Sequence, residues 1–176
     1  MSSRRSRYLL KLDGISAAAS ILAIATAGIQ ISIRLTTFSL QVGTASDRIK
    51  NIGADVSLTS NVLQQLGDLL KVKVDDDDTT GIFNAHGRTS TQNCADACNR
   101  IFRELEAALK KASKQIRTGT CVAGEKVTLS KLESLKWPFL QSSFDDLRSE
   151  LRDSRETLML ILQVTTLAHY KKLAQM

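Results

Sequence analysis

The 176-residue chain reads as an all-α protein, an antiparallel four-helix bundle with a long C-terminal helix and a short extra helix before Trp137. Three observations predict this. One proline and 5% aromatic residues, against a bulk of leucine, alanine, lysine and serine, favour helices over a sheet. Apolar residues recur at alternating spacings of three and four in three separate stretches. With 43% hydrophobic and 24% charged residues, the chain can bury a core of its own, and its length suits one domain. The expected organisation is a basic flexible extension over 1–12, then a helical bundle domain over 13–176.

The first helix is expected over 14–42. Its apolar run DGISAAASILAIATAGIQISIRL, Asp13 to Leu35, follows the basic leader MSSRRSRYLLK. At about 100° per residue, Ser16, Ser20, Thr26, Gln30 and Arg34 share one side with Ala19, Ala23 and Ala27, while Ile15, Ile21, Leu22, Ile29 and Ile33 take the other. Three readings compete for this run. A secretory signal would have the basic start, the apolar middle and the Ala25-Thr26-Ala27 pattern, but Asp13 interrupts the leader and cleavage would delete most of the helix. A membrane span from Ile15 to Ile33 would cover close to 30 Å, about one hydrocarbon thickness, yet its polar side speaks against a plain anchor. A core helix would turn the bulky side inward and use the small residues for close approach. A helix so segregated suits bundle packing and also insertion after release, and the two are compatible.

The second helix is expected over 45–71, with a seam of Ile49, Ile52, Val56, Thr59, Leu63, Leu66 and Leu70. Thr44 with Asp47 can form a capping box at its start. The third, over 90–117, carries Cys94, Cys98, Ile101, Leu105, Ala108 and Ala112. Thr89 with Gln92 would cap it, and Gly119 follows the basic last turn Lys114 to Arg117. In KWPF, Pro138 removes a donor and restricts Trp137, so a turn from Ser130 to Lys136, boxed by Ser130 and Glu133, is expected to end there. The last helix then runs over 139–174, boxed by Ser142 and Asp145. Its seam is Phe144, Leu147, Leu151, Ser154, Leu158, Ile161, Thr165 and Ala168. At about 1.5 Å per residue it spans roughly 50 Å, so its C-terminal part is expected to project beyond the bundle.

The net charge of +6 is uneven: Arg4, Arg5, Arg7 and Lys11 contribute +4 without a neighbouring acid, and Asp75 to Asp78 contribute −4. A basic stripe with interleaved aromatics is missing, which argues against a nucleic-acid partner. Three cysteines, Cys94, Cys98 and Cys121, leave one unpaired under any full pairing and favour a reducing compartment. Cys94 and Cys98 lie i, i+4 with His86 upstream, but small core residues account for them better than a metal site. VKVDDDDTTGIFNAHGRT fails as a calcium loop. With Asp76 first and Gly81 sixth, Gly87 stands twelfth where a bidentate Glu is needed. GTCVAGEK fails as a phosphate loop, since Glu125 separates Gly124 from Lys126 and no strand precedes it. His169, near Lys171, reads as a surface or interface residue. No catalytic, metal or cofactor site is therefore expected, and the chain reads as a non-enzyme.

Asp13-Gly14-Ile15-Ser16, followed by Ala17-Ala18-Ala19-Ser20-Ile21, resembles the opening of the fungal N-terminal, HeLo-like domain carried by NACHT and ankyrin-type STAND receptors. The stretch from Cys98 to Leu109, then Leu135-Lys136-Trp137-Pro138-Phe139, Leu147 to Leu151 and Leu158 to Gln163 are similar to its closing Trp-Pro-Phe segment and long last helix. The resemblance covers residues 13 to 172. It implies a cytoplasmic helical module of fungal self/non-self recognition, heterokaryon incompatibility and programmed cell death, in which a released N-terminal helix targets and permeabilises the plasma membrane. Such modules oligomerise and are usually joined to a nucleotide-binding switch receptor or controlled by an amyloid-like motif. On this reading the insertion residues are Ile15, Ile21, Leu22, Ile24, Ile29 and Ile33, and Trp137, Pro138 and Phe139 form the structural motif. The twelve-residue leader departs from the family's usual start near Asp13.

The leader has its own physics. Each Lys or Arg near an anionic leaflet contributes about 1 kcal/mol, so Arg4, Arg5, Arg7 and Lys11 supply up to roughly 4 kcal/mol of lipid contact. Its bland reading is a basic tail that aids solubility. The expected function is thus a signalling or cell-death effector with a membrane-active first helix. The alternative is a helical adaptor that recruits partner helices, or further copies of itself, through the 144–168 seam without membrane activity.

Overall fold

In the computed structural model, four α-helices make up all the secondary structure among the described residues: α1 (Ser2–Ser39), α2 (Ser46–Asp75), α3 (Ala85–Gly119) and α4 (Ser130–Leu173). The structure describes residues 2–40, 46–75, 85–119 and 130–174, with side-chain surroundings for 16–40, 47–71, 87–114, 142–168, 170, 171 and 174. The Thr44 cap, the Asp76–Asp78 acids, Cys121 and most of GTCVAGEK lie outside the described residues.

Two boundaries differ from the sequence expectation in an informative way. Residues 2–12 belong to α1 rather than forming a separate non-helical extension. The leader's Arg, Leu and Lys are good helix formers, and only Gly14 interrupts them on the way into the apolar run. Likewise, α4 is one helix of 44 residues that passes through Pro138, so the expected short helix and the last helix are one element. A proline inside a helix deletes the bond to the carbonyl four residues back, but its fixed φ is itself helical. Good helix formers on both sides carry the helix across. Of the expected caps, Ser130 does open α4, whereas Thr89 and Ser142 lie inside helices that begin earlier than the boxes suggested.

Every residue of the expected α2 seam is buried: Ile49, Ile52, Val56, Thr59, Leu63, Leu66 and Leu70. On α3, Cys98, Ile101, Leu105 and Ala112 are buried, and Cys94 and Ala108 pack against them. On α4, Phe144, Leu147, Leu151, Leu158 and Thr165 are buried, with Ile161 packed alongside. As far as Thr165, then, α4 is held in the bundle rather than projecting from it. Its buried Thr165 hydroxyl donates to the Ile161 carbonyl at 2.7 Å, and Thr59 and Ser60 on α2 donate to the carbonyls of Asp55 and Val56 at 2.8 Å. This back-bonding lets short polar side chains enter an apolar seam without an unmet donor.

Specific contacts fix the direction of each pair. Leu22 meets Gly67, Gly28 meets Ser60 and Ser32 meets Gly53, so positions rise on α1 as they fall on α2 and the two run antiparallel. Cys98 meets Ser154 and Arg100 bonds Glu150, so α3 and α4 are antiparallel too. Between the hairpins the sense is parallel. Ser20 meets Gln92 and Arg34 meets Glu106 across α1 and α3, while Arg48 meets Asp145 and Asp55 meets Arg155 across α2 and α4. The extensive contacts are α1–α2, α3–α4, α1–α3 and α2–α4, which gives the order α1, α2, α4, α3 around the bundle. Two antiparallel hairpins are therefore stacked with like-directed helices facing each other.

Candidate functional site

The region that sequence singles out lies on α1. Ser16–Ser39 is long and apolar enough to cross a membrane by length and composition, a test that soluble core helices and signal sequences also pass; a third of its most apolar window is buried in the bundle. Its outer side is as expected, with Ser16, Ala19, Ser20, Ala23, Thr26, Gln30 and Arg34 exposed.

The inner side is not the one expected. The buried residues are Ala18, Ile21, Ile24, Ala25, Gly28, Ile31, Leu35, Phe38 and Ser39. Of the six insertion residues, Ile21 and Ile24 face the core, Leu22 and Ile29 are half-buried, and Ile33 is 61% exposed. Ile21 and Ile33 point roughly 120° apart on a helix of about 3.6 residues per turn. The side chain of Ile15 lies outside the described set. The apolar arc of α1 is wider than one packing face, and α2 and α3 take the part of it that holds the small residues. A Cβ on Gly28 would lie 2.1 Å from Ser60 Oγ and 2.5 Å from a ring carbon of Phe102, and one on Gly67 would lie 2.7 Å from Leu22 Cγ. Glycine at these two positions leaves the space that the side chains of Ser60, Phe102 and Leu22 occupy.

Arg4, Arg5, Arg7 and Lys11 stand in the first turns of α1, upstream of the apolar stretch in the same helix. Trp137, Pro138 and Phe139 stand inside α4. The side chains of both groups lie outside the described set. His86 stands in the first turn of α3, likewise without a described side chain.

The strongest electrostatic feature lies elsewhere and was not anticipated from sequence. Asp55 on α2 is nearly buried, its side chain 9% exposed, and faces three arginines of α4. Arg148 Nε donates to its Oδ2 at 2.7 Å and Arg155 Nη1 to its Oδ1 at 3.0 Å, with Arg152 Nε 3.5 Å from Oδ2. Burial pushes this carboxyl up, but the hydrogen bonds from Arg148 and Arg155 and the charges of Arg148 and Arg152 together hold it below its ordinary value. The legible sign was Arg148, Arg152 and Arg155 at i, i+4 and i+7 beside the apolar seam, a stripe that calls for an acid opposite.

The cysteines are not poised for chemistry. Burial, then the neighbouring Cys94, pushes the Cys98 thiol up to about 12, and burial raises Cys94 as well. Among the described residues no three His, Cys, Asp or Glu side chains are placed to share a metal ion. The seam 144–168, considered for partner helices, is the face of α4 that enters the core. What α4 leaves outside is a different apolar row, Leu160, Val164 and Leu167.

No family model matches the chain, and no curated protein or solved structure matches it either.

Proposed function

We propose that the chain is a non-enzymatic signalling or cell-death module of the HeLo-like kind, in which α1 leaves the bundle on activation and enters an anionic membrane. The observation that carries this reading is that four cations and a 24-residue apolar stretch occupy one continuous helix. In the closed bundle Ile21, Ala25 and Leu35 cover the core while Ile33 already faces outward. Released, the same helix offers an apolar body long enough for the bilayer and a basic end suited to anionic headgroups. The cytoplasm, with recruitment to the plasma membrane, is the location that fits this cycle.

The test is vesicle binding and dye leakage with and without phosphatidylserine. Replacing Arg4, Arg5, Arg7 and Lys11 by Gln should weaken binding by up to about a thousandfold, the equivalent of roughly 4 kcal/mol. Ile33→Asp, on an exposed position, should keep the fold and abolish leakage. Absence of both binding and leakage at micromolar wild-type protein and low salt overturns the proposal.

A further inference from the structure

We infer that the outer face of α4 is a self-docking surface on which a second copy of this chain lies antiparallel. Leu160, Val164 and Leu167 are 62%, 64% and 69% exposed, and Met159 and Tyr170 beside them are exposed as well. Spacings of four and three put the first three on one stripe, on the side of α4 away from Leu158 and Thr165, which are buried. This is a second seam of the kind that the other helices bury inside the bundle. The five side chains present on the order of 400 Å² of apolar surface, comparable to the largest patch a monomer ordinarily leaves bare.

Charge decides the occupant and its direction. The exposed Glu156 and Lys171 flank the stripe at its two ends. A twofold axis passing between Gln163 and Val164 pairs Leu160 with the partner copy's position 167 and Glu156 with its position 171, and the reverse pairings follow by symmetry. Both ends of the contact then join an acid to a base. A parallel pairing would set acid on acid and base on base. The patch is about half of what each partner gives to a standard interface, so the dimer belongs to the weak, micromolar class.

Sedimentation velocity without lipid, from about one to a few hundred micromolar, tests this separately from the membrane reading, since neither result bears on the other. Wild type should shift from monomer to dimer across that range. Glu156→Lys and Lys171→Glu alone should each weaken dimerisation by about tenfold, and the two together should restore it. Leu160→Asp with Leu167→Asp should weaken it on the order of a hundredfold with the helical circular dichroism unchanged, since both sites are exposed. A wild type that stays monomeric at the highest concentration, single swaps without effect, or a double swap as weak as the singles each overturns the inference.

Discussion

Removing the Asp55 carboxylate should cost more than any surface ion pair in this protein. Asp55→Ala deletes two charge-assisted hydrogen bonds, at 2.7 and 3.0 Å, and leaves Arg148, Arg152 and Arg155 facing one another. Hydrogen bonds to charged groups contribute about 1.5–3 kcal/mol each, and breaking a fully buried pair costs about 3–5 kcal/mol. The guanidinium groups here keep some contact with water, which lowers the figure, so the expected loss is about 2–4 kcal/mol. For a chain of this length that is a fall in Tm of roughly 6–12 °C. Urea unfolding followed at 222 nm measures it, and an unchanged denaturant slope would show that the native state, not the unfolded one, was altered. Acid supplies a second arm. The folded carboxyl titrates below its ordinary 3.8, so its contribution is complete above that pH and disappears as pH falls through the folded value. Asp55→Asn lacks the contribution at every pH, so the gap between wild type and variant should be full at neutrality and close in acid below pH 3.8. A loss under about 0.5 kcal/mol at neutral pH, or a gap that persists unchanged into strong acid, would refute the reading of Asp55 as a buried carboxylate held by the arginines of α4.

Two further outcomes follow from the packing. Gly28→Ala should destabilise by about 1–3 kcal/mol in chemical denaturation, because the new methyl overlaps Ser60 and Phe102, both buried; a more stable variant would mean that the α1–α2–α3 contact is looser than described. Cys98, its thiol pushed up to about 12, should resist alkylation at about pH 8 until the protein unfolds, and mass mapping of native samples would expose the error if it reacts like a free cysteine.

Helices α2, α3 and α4 were legible because each has one apolar seam, and a seam spaced by threes and fours admits one inward face. Ile52, Leu105 and Leu151 illustrate the point, since their neighbours on both sides are polar or small and leave no alternative. On α1 the same reasoning located the outward face through Ser16, Gln30 and Arg34, but not the inward one. Its bulky residues extend over more of the circumference than two neighbours cover, and glycine and alanine, which carry little hydrophobic signal, determine where a backbone fits. Hence Ala18 and Gly28 are buried while Ile33 is not. Asp55 was illegible for another reason. Its partners lie 93 to 100 residues away, and nothing in the local pattern says which acid an arginine stripe will meet. Pro138 gave a strong local stop signal that its flanking helix formers outweighed, a conflict that single-residue rules do not resolve.

If α1 leaves the bundle as proposed, the glycines between α1 and α2 also decide its route. Sliding either rod by one turn along its axis would bring Leu63 or Leu70 to the gap that Gly67 provides for Leu22, and Ile24 or Ser32 to the space beside Ser60 and Phe102. A piston stroke is therefore jammed in both directions from the first few ångströms. The proposed exit of α1 would then be sideways, peeling from one end with the contacts of successive turns breaking in sequence, a zipper-like event rather than a thrust.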